Sequence, residues 1–219
     1  MPDVMINGPE GRLEGRYVLG PTPTSPIALI LHPHPRHGGT MNNKVVYSIY
    51  HTLARNGFAC LRFNFRGVGR SQGCYAHGEG ELADAASALD WLQATCPDAS
   101  QCWVGGFSFG AWICMQLLMR RPEVKGFIAV APPANLYDFG FLSPCPVSGL
   151  IVQGEEDDIV PSTKTYELSQ RLNQQKNILV SYETVPKADH FFTGCIDEMS
   201  ALVQAYLENL EGAADFREP

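Results

Sequence analysis

The chain is short of positive charge and has no long hydrophobic run. Lys and Arg number 16 against 23 Asp and Glu, a formal net charge of −7. Nucleic-acid and anionic-membrane surfaces need clustered cations, so this balance argues against both partners. No apolar stretch approaches the roughly 20 residues that span a bilayer. The opening residues, Met1-Pro2-Asp3-Val4-Met5-Ile6-Asn7-Gly8, carry neither a basic segment nor an apolar core, so no secretory signal is expected. CxxC pairs are also missing: the 7 cysteines, an odd number, stand at 60, 74, 96, 102, 114, 145 and 195. Several lie in apolar stretches, which predicts reduced, buried thiols in a cytoplasmic protein rather than disulfides or metal ligands.

What is present suits one α/β domain over residues 1–219, with 45% hydrophobic and 18% charged residues to build and cover a core. Turn chemistry at Asn7-Gly8-Pro9-Glu10-Gly11 predicts an opening hairpin. Strands are predicted at 27–31, 58–65, 101–106, 126–131, 147–153 and 178–185. Between them, helices are predicted at 45–56, 81–95, 111–120, 162–175 and 196–211. In the second helix Leu82, Ala85, Ala86, Leu89 and Leu92 fall at helical spacing. The tail 213–219 reads as polar and frayed. Strands alternating with helices imply right-handed crossovers and a mostly parallel sheet covered on both faces.

The strongest local signal is Gly106-Phe107-Ser108-Phe109-Gly110, between a predicted strand and a predicted helix. Random placement of 21 Gly and 12 Ser would produce such a Gly-x-Ser-x-Gly string roughly 0.1 times in this chain. In that context a serine sits on a sharp turn with its hydroxyl raised above the sheet. A serine hydroxyl is a weak nucleophile and needs a general base, itself oriented by a carboxylate. His190 follows the last strand, at the sheet end where parallel folds display their ligand-binding groups. The acidic run Glu155-Glu156-Asp157-Asp158 follows the preceding strand and falls between Ser108 and His190 in chain order. Asp157 is the first candidate there and Asp158 the second; composition does not separate them. Backbone N–H donors for an oxyanion are expected from Phe109 and from the loop His32-Pro33-His34-Pro35-Arg36-His37-Gly38-Gly39. Proline has no N–H, so His34 is the expected donor in that loop.

Together these residues resemble the α/β-hydrolase superfamily, and within it the small bacterial members without a separate lid domain, of the dienelactone-hydrolase sort. The resemblance runs from Val4 to Leu210. His32-Pro33-His34-Pro35 with Gly38-Gly39 is similar to the oxyanion loop, although Pro33 stands where the family more often has glycine. Arg66-Gly67-Val68-Gly69-Arg70-Ser71 resembles the family's Arg-Gly-x-Gly-x-Ser turn, and Gly106 to Gly110 the nucleophile elbow. Gly154-x-x-Asp157 and Asp189-His190-Phe191 resemble the acid and base loops, and the family pattern selects Asp157 over Asp158.

The resemblance implies a serine hydrolase acting on an ester-like acyl bond, with no cofactor, no metal ion and a small-molecule acyl substrate. An amidase or peptidase would use the same residues, and a non-catalytic module could share the fold. Where relatives insert a lid, this chain has only Pro132 to Pro146, so the pocket is expected to be open or closed by a second copy of the chain. Phe107, Phe109, Phe139, Phe141, Phe191 and Phe192 are candidates for its apolar lining, with at least half expected in the core instead.

Two other motifs are weaker. His32-x-His34-x-Arg36-His37 approaches a zinc-hydrolase motif, but Arg36 puts a cation where a carboxylate is required. Gly67-Val68-Gly69-Arg70-Ser71-Gln72-Gly73 has its third glycine one place late for a dinucleotide fingerprint and reads as a turn.

Overall fold

A computed structural model describes residues 3–215. Met1 and Pro2 of the opening segment and residues 216–219 of the tail lie outside them.

Eight strands form one sheet in the order β1-β2-β4-β3-β5-β6-β7-β8. The opening hairpin is β1 (Asp3–Gly8) and β2 (Gly11–Val18), and β2 pairs antiparallel with β4 (Ala59–Phe63). From β4 onward every pairing is parallel: β3 (Ile27–Leu31), β5 (Cys102–Phe107), β6 (Val124–Val130), β7 (Gly149–Gly154) and β8 (Val180–Val185). This is the mostly parallel sheet expected from the alternation of elements, in the α/β-hydrolase arrangement that the resemblance implies.

Strand alternation builds two cores. In β3, Ile27, Leu29 and Leu31 join one apolar cluster, while Ala28 and Ile30 join the other on the opposite face. Helices α2 (Glu79–Thr95) and α3 (Phe109–Leu118) cover the first face with α4 (Ser162–Asn173). Helices α1 (Lys44–Arg55) and α5 (Ile196–Asp215) cover the second. The α2 stripe is Leu82, Ala85, Ala88, Leu89 and Leu92, all buried; Ala86, expected in it, is half-buried beside the core. The last helix continues to Asp215, past the point where a frayed tail was expected to begin.

Of the cysteines, Cys60, Cys102, Cys114 and Cys145 are buried, as expected for apolar contexts, and burial raises all four thiols, Cys102 to about 12. Cys96 and Cys195 are half-buried and Cys74 is exposed, so burial does not hold for all seven. Among the described residues no helix is long and apolar enough to cross a membrane.

The order β4-β3-β5 places the chain reversal point at β3, where the loops after β3 and β5 leave the sheet side by side. Leu31 is in register with Gly106, which brings the His32–Gly39 loop beside the turn that carries Ser108.

Candidate active site

The strand β5 ends at Phe107 and α3 begins at Phe109, so a single residue makes the turn. Ser108 adopts φ 53°, ψ −120°, a conformation that costs a non-glycine residue about 1–3 kcal/mol. Its surroundings hold it there. The Ser108 N–H donates to the Val130 carbonyl at 2.9 Å, and its carbonyl accepts from the N–H groups of Ala111 (2.9 Å) and Trp112 (3.2 Å). Both flanking glycines are obligatory for close approach. A Cβ on Gly106 would lie 2.4 Å from the Gly110 backbone, and one on Gly110 would lie 2.4 Å from the Leu31 carbonyl oxygen.

Above this turn the structure brings three predicted residues into one hydrogen-bonded line. His190 Nε2 lies 3.0 Å from Ser108 Oγ, and His190 Nδ1 lies 2.7 Å from Asp157 Oδ2. An ionised carboxylate only accepts, so Asp157 fixes the imidazole proton on Nδ1 and leaves the Nε2 lone pair facing the serine hydroxyl. Asp157 is saturated: Oδ1 accepts from the N–H groups of Ile159 (2.9 Å) and Val160 (2.7 Å), and Oδ2 also accepts from Gln153 Nε2 at 2.9 Å. Asp157 is buried and Asp158 is exposed, which separates two acids that composition left equal.

The loops that carry Asp157 and His190 are stitched together. Glu155 N–H donates to the Val185 carbonyl at 3.1 Å and Glu156 N–H to the Ala188 carbonyl at 3.0 Å. Asp189 Oδ1 accepts from the Phe191 (3.0 Å) and Thr193 (2.8 Å) N–H groups. The Thr193 N–H is the main cause of a lowered Asp189 pKa, and the turn it closes carries His190. Sequence reasoning misses Gln153, and it names Asp189 only as a member of the motif around His190. Gln153 reads as a strand residue and Asp189 as another acid. An Asp two residues before an acceptable N–H is the signal that would have found the second.

The loop from His32 to Gly39 is built on histidines of different kinds. His32 is fully buried, accepting from the Phe65 N–H at Nε2 (3.0 Å), which puts its proton on Nδ1, 2.7 Å from the Pro33 carbonyl. Burial pushes its pKa down to about 4. His34 caps a short 3-10 turn at Pro35–His37, within a stretch that the sequence predicts as loop. Both ring nitrogens of His32 and both of His34 are engaged by protein groups.

The Arg66–Ser71 segment is the predicted turn, and it touches this site only as a buttress. Ser71 Oγ donates to the Asn64 carbonyl (2.6 Å), and Asn64 Oδ1 accepts from the Met41 N–H (2.8 Å). Arg66 makes a buried pair with Asp84, through Nε (2.9 Å) and Nη2 (2.7 Å).

Ser108, Phe109, His34 and His190 line one cavity of about 220 Å³. Pro133, Leu136, Tyr137, Ile159 and Phe191 supply its apolar wall. Residues 131–148 contain no helix or strand and form part of this wall where a lid would be inserted. Of the six candidate phenylalanines, Phe109 and Phe191 reach the lining. Phe107, Phe139 and Phe192 are core, and Phe141 packs half-buried against it.

Comparison with known proteins places these features in a family. The model of the X-Pro dipeptidyl-peptidase (S15) family matches residues 15–190. The protein of unknown function ATU1826 from Agrobacterium tumefaciens is 55% identical; the match covers 96% of this chain and 97% of that one, with a TM-score of 0.93. An α/β serine hydrolase homologue from Coxiella burnetii is 38% identical, over 94% and 97% of the two chains, with a TM-score of 0.84. XC6422 from Xanthomonas campestris, an α/β serine hydrolase without a lid, is 31% identical, over 95% and 94%, with a TM-score of 0.85.

Proposed function

The chain belongs to the α/β serine hydrolases, within the S15 family whose model it matches, and from that premise we propose that it hydrolyses ester-like acyl bonds through Ser108, His190 and Asp157. The observation that supports this reading most is the hydrogen-bonded line from Ser108 Oγ through the imidazole to a buried, fully bonded carboxylate. In the proposed reaction His190 Nε2 takes the serine proton as Oγ attacks the acyl carbon. The N–H groups of Phe109 and His34 receive the developing oxyanion. His190 then passes the proton to the leaving oxygen, and Oγ holds the acyl group. Water attacks that ester, His190 takes the water's proton and returns it to Oγ, and the acid leaves. Asp157 holds the tautomer and stabilises the imidazolium throughout.

The substrate we infer is a neutral ester with a short acyl chain. The cavity is smaller than the roughly 300–1,000 Å³ of pockets that hold drug-sized ligands. None of its lining residues is acidic, whereas a site that holds a free peptide amino terminus needs a carboxylate to pair with the ammonium. That counts against the second reading, an X-Pro dipeptidyl-peptidase activity, which the S15 match alone favours. Seven unpaired cysteines suit a reducing compartment, so we propose a cytoplasmic location.

The test is a panel of p-nitrophenyl esters of graded chain length beside acyl-CoA and X-Pro-p-nitroanilide substrates. Short esters are expected to turn over fastest, Ser108→Ala to lose more than about a thousandfold in kcat, and a fluorophosphonate to label Ser108. Retained esterase activity in Ser108→Ala would reject the mechanism. Preferential cleavage of the anilide would move the assignment to a peptidase.

A further inference from the structure

Building on the oxyanion assignment above, we propose that Tyr75 is a positioning residue whose hydroxyl holds the His34 imidazole and thereby aims the His34 N–H at the reacting carbonyl. Tyr75 lies in the loop between β4 and α2, more than 30 residues from either proposed oxyanion donor, and it is not among the residues that line the cavity. Its influence runs through the side chain of His34.

The proton positions on that ring follow from its partners. The Arg36 N–H donates to His34 Nδ1 at 3.1 Å, so Nδ1 is unprotonated and the ring proton resides on Nε2. Nε2 lies 3.0 Å from the Tyr75 hydroxyl, which is therefore the acceptor. The ring is held at both nitrogens. Its faces are occupied as well, by His37 stacked at 4.3 Å, Tyr75 at 5.0 Å and Phe109 at 5.0 Å between centroids. The His34 carbonyl accepts from the N–H groups of His37 (3.0 Å) and Gly39 (3.1 Å). The Pro33 carbonyl, which shares its peptide plane with the His34 N–H, accepts from His32 Nδ1 at 2.7 Å, and with the imidazole held at both nitrogens as well the His34 N–H has little freedom to turn.

Three further observations point the same way. The rings of His34 and Phe109 touch each other, and Tyr75 packs against both, so one side chain braces the two residues assigned as donors. Tyr75 is itself anchored: the next residue, Ala76, donates its N–H to Glu81 Oε1 at 2.9 Å, and Gly78 donates to Glu81 Oε2 at 2.7 Å. The arrangement requires a neutral imidazole, because a proton on Nδ1 would face the Arg36 N–H. Burial, then the charges of His37, Arg36 and His77, hold His34 below the ordinary imidazole range.

Tyr75→Phe keeps the ring and removes the acceptor. The expected result is a kcat about tenfold lower on the best p-nitrophenyl ester, the effect of losing one hydrogen bond that aims a donor rather than the donor itself. KM is expected within twofold of wild type, thermal unfolding within about 2 °C, and the inhibition constant of a matched boronic acid raised by the same factor as kcat fell. In a His34→Ala background the same substitution is expected to have no further effect, since the relay has lost its middle member. A Tyr75→Phe protein whose kcat and boronate affinity stay within twofold of wild type would overturn the inference. So would parallel losses in kcat, KM and unfolding temperature, which mark general loosening. If wild-type protein hydrolyses no ester and Ser108 resists fluorophosphonate, the catalytic reading falls and takes this inference with it. If wild type is active, the variants judge Tyr75 alone.

Discussion

Lowering the pH should destabilise this protein through one histidine that takes no part in the proposed chemistry. His32 is fully buried, its Nε2 receives the Phe65 N–H, and protonation there would set two donors against each other. The folded-state pKa is pushed down to about 4, mainly by burial, from 6.5 in the unfolded chain. The sign follows from which state binds the proton. Below pH 6.5 the unfolded chain takes up a proton that the folded chain refuses, so stability falls with pH until about 4, where both forms are protonated and the loss stops. A gap of about 2.5 pH units, at about 1.4 kcal/mol each, amounts to about 3 kcal/mol. No discount for solvent screening applies to a side chain with no exposure. Urea unfolding followed by tryptophan fluorescence, at intervals from pH 7.5 to pH 4, would measure it. The control is His32→Gln, which cannot titrate but retains a donor and an acceptor. The variant is expected to be less stable at pH 7 and to lose less stability on acidification, so the two curves converge by about 3 kcal/mol between pH 6.5 and pH 4. Curves that stay parallel through that window would refute the reasoning. His34 and His51 are shifted in the same direction, but they remain in both proteins and cancel in the difference.

Two other substitutions test the scaffold. Asp84→Ala removes the buried partner of the Arg66 guanidinium and leaves it the half-exposed Glu10, and should cost about 3 kcal/mol in chemical denaturation, the lower end for breaking a buried pair. Gln153→Leu removes a donor from Asp157 Oδ2 without touching His190, and should lower kcat by about threefold to tenfold at nearly constant KM; an unchanged kcat would show that Gln153 serves only the fold.

How much of this was legible depended on whether a residue's role was local. The bounds of β3 coincide with the apolar run Ile27–Leu31, because proline and a polar loop flank it and every residue in it is buried. The hydroxyl turn at Ser108 was legible for a similar reason: glycines on both sides have no other steric use. Its compactness was not, since nothing in Phe107 or Phe109 marks where strand pairing stops and helix begins. Gln153 and Asp189 bond within their own segments, to Asp157 and to the Phe191 and Thr193 N–H groups, but Tyr75 remained hidden because its partner, His34, meets it only after the sheet closes. The same holds for the phenylalanines, where 107 and 109 flank the same serine yet one points into the core and the other borders the cavity. Ala88 replaced Ala86 in the α2 stripe because alanine is small enough for either face, and packing with α3 decides.

The direction of the six parallel strands divides the molecule into two unlike ends. Everything that bears on Ser108 leaves the sheet at the strands' carboxyl ends: the turns after β3, β4, β5, β6, β7 and β8. The connections entering those strands, such as residues 19–26, 96–101 and 174–179, lie a full strand length away. Peptide tags, fluorescent domains or new chain ends could therefore be installed at that far side, where extra residues lengthen a surface crossing without disturbing the bonding among the six working loops.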